Sequence, residues 1–194
     1  MPFKALAKKL LQHPAGIHRR QFLKLSLAAA SAAAFAPQAA ARAARPESRR
    51  LAFYNTHTGE SLEACYFDGG CHDPAALAAI DRILRDHRTG DTRPIATGLL
   101  DLLHTLCGRL ETSQPLHVIS GYRSPATNAA LHAKSRGVAS QSLHMCGQAI
   151  DIRIPGIATA RLREAAVRLA GGGVGYYPGP DFVHIDIGRV RSWG

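Results

Sequence analysis

The first 45 residues contain neither aspartate nor glutamate. The whole chain has one tryptophan, 6% aromatic residues and four cysteines, none in the paired C-x-x-C spacing of a structural zinc site. No apolar run reaches the roughly 20 residues that a membrane-spanning helix needs. No G-x-S-x-G elbow is present, and no repeat or low-complexity block interrupts the later part. These absences argue against a zinc-finger module, a serine hydrolase of the nucleophile-elbow kind and a repeat array. What remains is 194 residues, 46% hydrophobic and 20% charged, enough for one ordinary globular domain with a core of its own.

The formal net charge of +10 invites a nucleic-acid reading, and its distribution removes that reading. Eight basic residues (Lys4, Lys8, Lys9, Arg19, Arg20, Lys24, Arg42, Arg45) lie in the acid-free leader, which leaves 16 bases against 14 acids afterwards. The body is close to neutral, so no nucleic-acid partner is expected.

The leader has an order of its own. A basic stretch is followed by Arg19-Arg20-Gln21-Phe22-Leu23-Lys24, then the small and apolar run 25–36, then alanine-rich A-x-A sites. A run of about a dozen residues reads as a cleavable signal rather than a span, and the R-R-x-F-L-K hexamer resembles the twin-arginine signal of bacterial Tat export. Residues 1–44 are therefore expected to be a twin-arginine signal peptide, cut between Ala41 and Ala44. The mature domain over 45–194 would be periplasmic or otherwise extracytoplasmic, with no membrane span after cleavage. Oxidising conditions would let Cys65 bridge to Cys71 across Asp68-Gly69-Gly70, whereas folding in a reducing cytoplasm before export would leave both as thiols. Both readings stay open. Cys107 lies in an apolar helical pattern and reads as a buried small hydrophobe.

Along the body, 51–54 and 63–67 read as a hairpin around Thr58-Gly59. Asp73-Pro74 starts a helix expected to run to about Arg88, and a second covers about 95–110 with Leu99, Leu102, Leu103, Leu106 and Leu110 at helical spacing. His117–Ser120 reads as a strand, and Ser124-Pro125 opens a helix to about Ser135. A strand over 149–154, a helix over 158–170 and two strands over 174–177 and 182–187 follow. Helices early and short strands late suggest α+β, with a small antiparallel sheet.

The chemistry concentrates in Ser142-Leu143-His144-Met145-Cys146-Gly147-Gln148-Ala149-Ile150-Asp151. A loop histidine and a strand aspartate seven residues later offer an imidazole nitrogen and a carboxylate oxygen, both suited to zinc. His184, in the strand Phe182-Val183-His184-Ile185-Asp186, adds a third donor if the two strands are neighbours. Three protein ligands leave the fourth tetrahedral position open, the requirement of a catalytic zinc.

The S-x-H-x-x-G-x-A-x-D pattern formed by Ser142, His144, Gly147, Ala149 and Asp151 resembles the LAS metallopeptidases, the superfamily of lysostaphin, D-Ala-D-Ala peptidases and hedgehog signalling domains. Ser120-Gly121-Tyr122-Arg123-Ser124 with Asn128, and the 173–194 segment containing Phe182–Asp186 and Arg191-Ser192-Trp193, look like its murein endopeptidase K branch. The resemblance spans about 51–194. It implies a LAS/hedgehog-like α+β fold, a zinc ion on His144, Asp151 and His184, and hydrolysis of peptide cross-links in peptidoglycan. Arg123 would hold a carboxylate or the developing oxyanion, with Tyr122 and Asn128 in support. Related enzymes carry the general base three or two positions before the last histidine ligand. Here those positions are Asp181 and Phe182, so Asp181 is the expected base. Asp186, two residues after His184 and on the same strand face, is the runner-up or a partner orienting an imidazole. The rival function is a peptidoglycan- or protein-recognition module that keeps the zinc site without hydrolysis.

Overall fold

The computed structural model describes residues 47–135 and 137–194; the expected leader lies outside them. Eight strands form one mixed sheet: β1 Arg49–Asn55, β2 Ser61–Asp68, β3 Cys71–His72, β4 Leu116–Ser120, β5 Ala149–Arg153, β6 Gly173–Tyr177, β7 Phe182–Asp186 and β8 Arg191–Trp193, in the order β3-β2-β1-β4-β5-β7-β6-β8. Pairing is antiparallel except between β1 and β4 and between β6 and β8, which are parallel. The helices are α1 Pro74–Ile83, α2 Thr97–Arg109, α3 Pro125–Lys134 and α4 Thr159–Leu169. The α+β class is as expected. The sheet is larger than expected and not wholly antiparallel, because the two-residue β3 and three-residue β8 carry no hydrophobic alternation to betray them.

The core is one layer between the helices and one face of the sheet. Strand alternation sends Phe53 of β1, Val118 of β4, Ile150 and Ile152 of β5 and Val183 and Ile185 of β7 to that face. Against it, α1 packs on β2, α2 on β1, and α4 on β6 and β7. Leu99, Leu103 and Leu106 recur on the buried side of α2 and are fully enclosed, each contributing about 1.5–3 kcal/mol of burial. Tyr66 is equally enclosed and donates its hydroxyl proton to Asp101 Oδ1 at 2.9 Å.

Because α1, α2 and α4 cover one face, the alternate residues of the pleat, Asp151 and Arg153 on β5 and Phe182, His184 and Asp186 on β7, are directed to the other. That arithmetic puts the functional residues on the side of the sheet away from the core. The hairpin register places Cys71 opposite Asp68, three residues along from Cys65, and both cysteines are free thiols. A register that separates the pair in this way disposes of the bridge reading.

The first helix ends at Ile83 rather than near Arg88. Leu84 caps it, and the chain then turns so that the Asp86 carboxylate accepts the Ser124 N–H at 2.9 Å and the Arg88 N–H at 3.0 Å. A competing long-range hydrogen bond has outweighed local helical spacing. Ser124 caps α3 through the Thr127 N–H, as the Ser-Pro pair predicts.

Candidate active site

Between α3 and β5 the chain makes a single tight 3-10 turn over Leu143–Cys146, closed by Gly147 at φ 66°. This left-handed conformation is one glycine enters without steric cost, and a Cβ there would run into the backbone at Pro94. The turn sets His144 Nδ1 2.7 Å from the Gly121 carbonyl oxygen. A carbonyl only accepts, so Nδ1 carries the proton and Nε2 keeps its lone pair. Asp151 on β5 and His184 on β7 are direct cross-strand partners.

His184 Nδ1 lies 2.9 Å from Asp151 Oδ1 and 3.2 Å from His144 Nε2, and the third side of the triangle is 3.3 Å. His184 Nε2 faces Asp186 Oδ2 at 3.0 Å, a carboxylate that fixes a proton on Nε2 and turns Nδ1 inward. Three potential metal-donor atoms thus converge, and either a proton on His184 Nδ1 or a metal cation at the centre relieves their mutual repulsion. A tetrahedral zinc with ligands at about 2.0–2.1 Å sets its donor atoms roughly 3.3 Å apart, so the donor set fits a metal ion in both chemistry and spacing. The electrostatics agree. Burial alone would raise the Asp151 pKa, but the charge and hydrogen bonds of His144 and His184 hold it well below the usual carboxylate range. Burial disfavours the imidazolium of His184, yet Asp151 and Asp186 outweigh it and push its pKa up to about 9. The centre is a place where positive charge is wanted.

Asp186 is fully enclosed and all of its acceptor directions are taken. It receives the N–H groups of Gly173 and Gly188 at 3.0 and 2.8 Å, and Arg191 bonds both of its oxygens at 3.1 and 2.7 Å. Burial would raise its pKa, but these partners with His184 hold it well below the usual range. It is built as an anionic anchor for His184. The Arg191 guanidinium lies over the Trp193 ring at 4.9 Å, the Trp193 ring is 5.3 Å from that of His184, and Trp193 Nε1 donates to the Tyr177 hydroxyl at 2.9 Å. β8 therefore forms one wall of the cleft, a cavity of about 390 Å³ over the three donor residues.

That wall rests on Gly175. A Cβ at Gly175 would stand 2.6 Å from the indole ring, so Gly175→Ala has to displace Trp193 and break its bond to Tyr177. The expected result is a loss of about 1–3 kcal/mol of stability from overpacking, with a shifted emission of the chain's single tryptophan, read by fluorescence during urea unfolding. Unchanged emission and midpoint would show that the wall does not depend on this contact.

Opposite stands Arg123, 9% exposed. Its Nη1 reaches Asn128 Oδ1 at 3.4 Å and its Nη2 Ser120 Oγ at 3.3 Å, Asp151 Oδ2 lies 3.7 Å away, and its buried Nε has no partner among the described residues. Burial lowers its pKa, with Asp151 opposing. Asn128 Nδ2 donates to the carbonyls of Ala139 and Ser140, which ties the loop that forms the cleft rim. Tyr122 is held by its N–H to the Leu84 carbonyl at 2.7 Å.

Asp181 stands apart. It occupies the turn before β7 at φ 55°, its Oδ1 accepts from Thr159 Oγ1 at 3.0 Å, and its Oδ2 is 3.8 Å from Arg153. It does not line the cleft over His144, Asp151 and His184; it lines a neighbouring depression. The D-x-x-H spacing would bring both groups together on a helix, but here it crosses from a turn into a strand, which sends them apart. Asp181, the expected general base, therefore stands outside the cleft in this structure, and Asp186 is the aspartate that meets the three donor residues.

A family model described as peptidoglycan L,D-endopeptidase MepK matches residues 43–193. The chain belongs to this family. The peptidoglycan L,D-endopeptidase MepK of Escherichia coli (strain K12) is 46% identical over 176 residues, covering 91% of this chain and 97% of that relative. The corresponding protein of Shigella flexneri matches to the same extent. A probable peptidoglycan L,D-endopeptidase MepK of Haemophilus influenzae is 36% identical over 177 residues, 91% of this chain and 95% of the relative. Membership of the MepK family bears out the resemblance carried by the S-x-H-x-x-G-x-A-x-D stretch.

Two features of this MepK-family cleft escaped the sequence. Asp86, 1% exposed, pins the loop that presents Arg123, and hydrogen bonds from Thr127, Ser124 and Arg88 outweigh burial to hold its pKa at about 2. Nothing local marks an aspartate that acts 38 residues away. Tyr177 had a signal that went unused, since it stands opposite Phe182 in the β6–β7 pairing and so shares the face of His184.

Proposed function

We propose that this chain is a zinc-dependent murein endopeptidase, exported by the twin-arginine route to the periplasm, that hydrolyses L,D peptide cross-links of bacterial peptidoglycan during cell-wall remodelling. The observation that carries the reading is the convergence of His144 Nε2, Asp151 Oδ1 and His184 Nδ1 on one point beside the buried Arg123. The peptidoglycan L,D-endopeptidase activity for which the relatives are named supports the substrate class.

In this reading His144, Asp151 and His184 hold the ion. A zinc ion held there would supply Lewis acidity and would acidify a water near neutral pH. Arg123 steadies the negative charge that develops on the scissile carbonyl oxygen, its forked donors already aimed into the cleft. Asn128 and Ser120 hold the guanidinium flat, and Asp86 fixes the loop beneath it. Asp186 keeps the proton on His184 Nε2 and so keeps Nδ1 available to the ion. Arg191 and the two backbone amides keep Asp186 ionised. Trp193, Tyr177 and Phe182 form an apolar wall against which a peptide can lie.

Zinc-loaded mature protein incubated with purified cross-linked muropeptides is expected to convert dimers into monomers with the mass gain of one water, read by mass spectrometry. The product masses locate the bond. Stoichiometric binding without any mass change would instead make the domain a recognition module.

The export part of the proposal rests on Arg19-Arg20 and the short apolar run after them. Changing both arginines to lysine is expected to leave unprocessed protein in the cytoplasm, visible as the loss of the mature N-terminus near 41–44. Normal export of the double-lysine form would sink the twin-arginine assignment.

A further inference from the structure

A depression of about 450 Å³ adjoins the cleft, lined by His117, Arg153, Asp181 and the 154–158 turn. Its position follows from the pleat. Arg153 lies two residues beyond Asp151 on β5, so it leaves the same sheet face about 7 Å further along. His117 is its cross-strand partner on β4 and packs at 4.9 Å on Tyr54, which neighbours it on β1. On the other side, Phe182 and Tyr177 stack at 4.6 Å and also line the metal cleft. One surface thus runs from the three donor residues to the depression.

The charges in the depression form only a loose ion pair. Arg153 Nη1 and Asp181 Oδ2 are 3.8 Å apart, beyond hydrogen-bond range, and their side chains are 41% and 59% exposed. Neither has collapsed onto the other. Asp181 is restrained, because Thr159 holds its Oδ1 and the turn before β7 fixes its backbone. Burial and the nearby Arg153 charge keep the His117 imidazole below its usual pKa, so Arg153 is the cation of the group. A bare carboxylate would be repelled by Asp181 and a bare amine by Arg153. A group carrying both signs a few ångströms apart meets neither penalty.

We infer that this depression is a subsite for the free α-amino-acid head of a cross-linked peptide, with Arg153 taking its carboxylate and Asp181 its ammonium group. The inference rests on the peptidase reading of the adjoining cleft. It explains why an aspartate set back from the metal ligands is held in place, and it makes selectivity depend on both charges of the head.

The test uses zinc-loaded protein and three cross-linked muropeptides that differ only at the free head: unmodified, capped as the carboxamide, or capped as the N-acetyl derivative. Hydrolysis is followed for each, and equilibrium binding of the three product peptides is measured by calorimetry, which requires no turnover. Wild type is expected to bind the unmodified product about tenfold more tightly than either capped one, the effect of one charge-assisted hydrogen bond at a half-exposed site. Arg153→Gln should erase the preference over the carboxamide alone, and Asp181→Asn the preference over the N-acetyl form alone. If all three muropeptides are cleaved and the wild-type ranking survives in both variants, the subsite is refuted while the peptidase reading stands. If none is cleaved and no product binds, both fall together.

Discussion

His184→Ala is expected to reduce the zinc content of the purified chain from about one equivalent to near zero while leaving the sheet intact. Nδ1 of His184 is one corner of a triangle with sides of 2.9, 3.2 and 3.3 Å. Removing it leaves one imidazole and one carboxylate, too few to exclude water from a tetrahedral ion. The sheet should survive because the neighbouring core residues Val183 and Ile185 point to the opposite face. Asp186→Asn provides the comparison. It keeps all three donors but weakens the anchor of His184 Nε2, so zinc affinity should fall about 10–100-fold rather than vanish. Metal analysis with competitive chelator titration reads both variants. Full occupancy in His184→Ala would mean that the ligand set is wrong.

Arg123→Ala should retain zinc and lose turnover of a cross-linked muropeptide by about 10²–10³-fold, the size associated with removing one donor to a developing oxyanion. Among the described residues the guanidinium makes only long contacts, to Asn128, Ser120 and Asp151, and its Nε has no partner. Its donors are held in reserve rather than spent on the fold. Arg123→Lys should recover little, because an ammonium on a shorter reach cannot reproduce the planar fork. Wild-type kcat in Arg123→Ala at full zinc occupancy would remove Arg123 from the reaction.

Much of the fold was legible because local signals agreed with one another. The Asp73-Pro74 and Ser124-Pro125 pairs marked two helix starts that the structure reproduces, and leucine spacing marked α2 to within two residues at its N-terminus and one at its C-terminus. Strands β5 and β7 were readable because isoleucine and valine alternate with the polar residues of the opposite face. β3 and β8 were not, since two and three residues are too few to establish a period. The end of α1 was overestimated because the bond from Asp86 to Ser124 joins residues 38 apart, and no window along the chain contains both.

The sequence alone determined the α+β class and the family resemblance, and it was that resemblance, joined to the donor chemistry of His144, Asp151 and His184, that singled out the three residues that meet at the centre. The β5–β7 register then decided that Asp151 and His184 face one another, and the hydrogen bonds to Gly121 and Asp186 decided which imidazole nitrogens point inward. The tertiary structure also separated two aspartates that look equivalent on paper. Asp186 follows His184 within a strand, where alternation keeps both on one face, while Asp181 precedes it across a turn whose backbone reverses direction. Spacing along a chain reports proximity only while the secondary structure stays the same, and between Asp181 and His184 it changes.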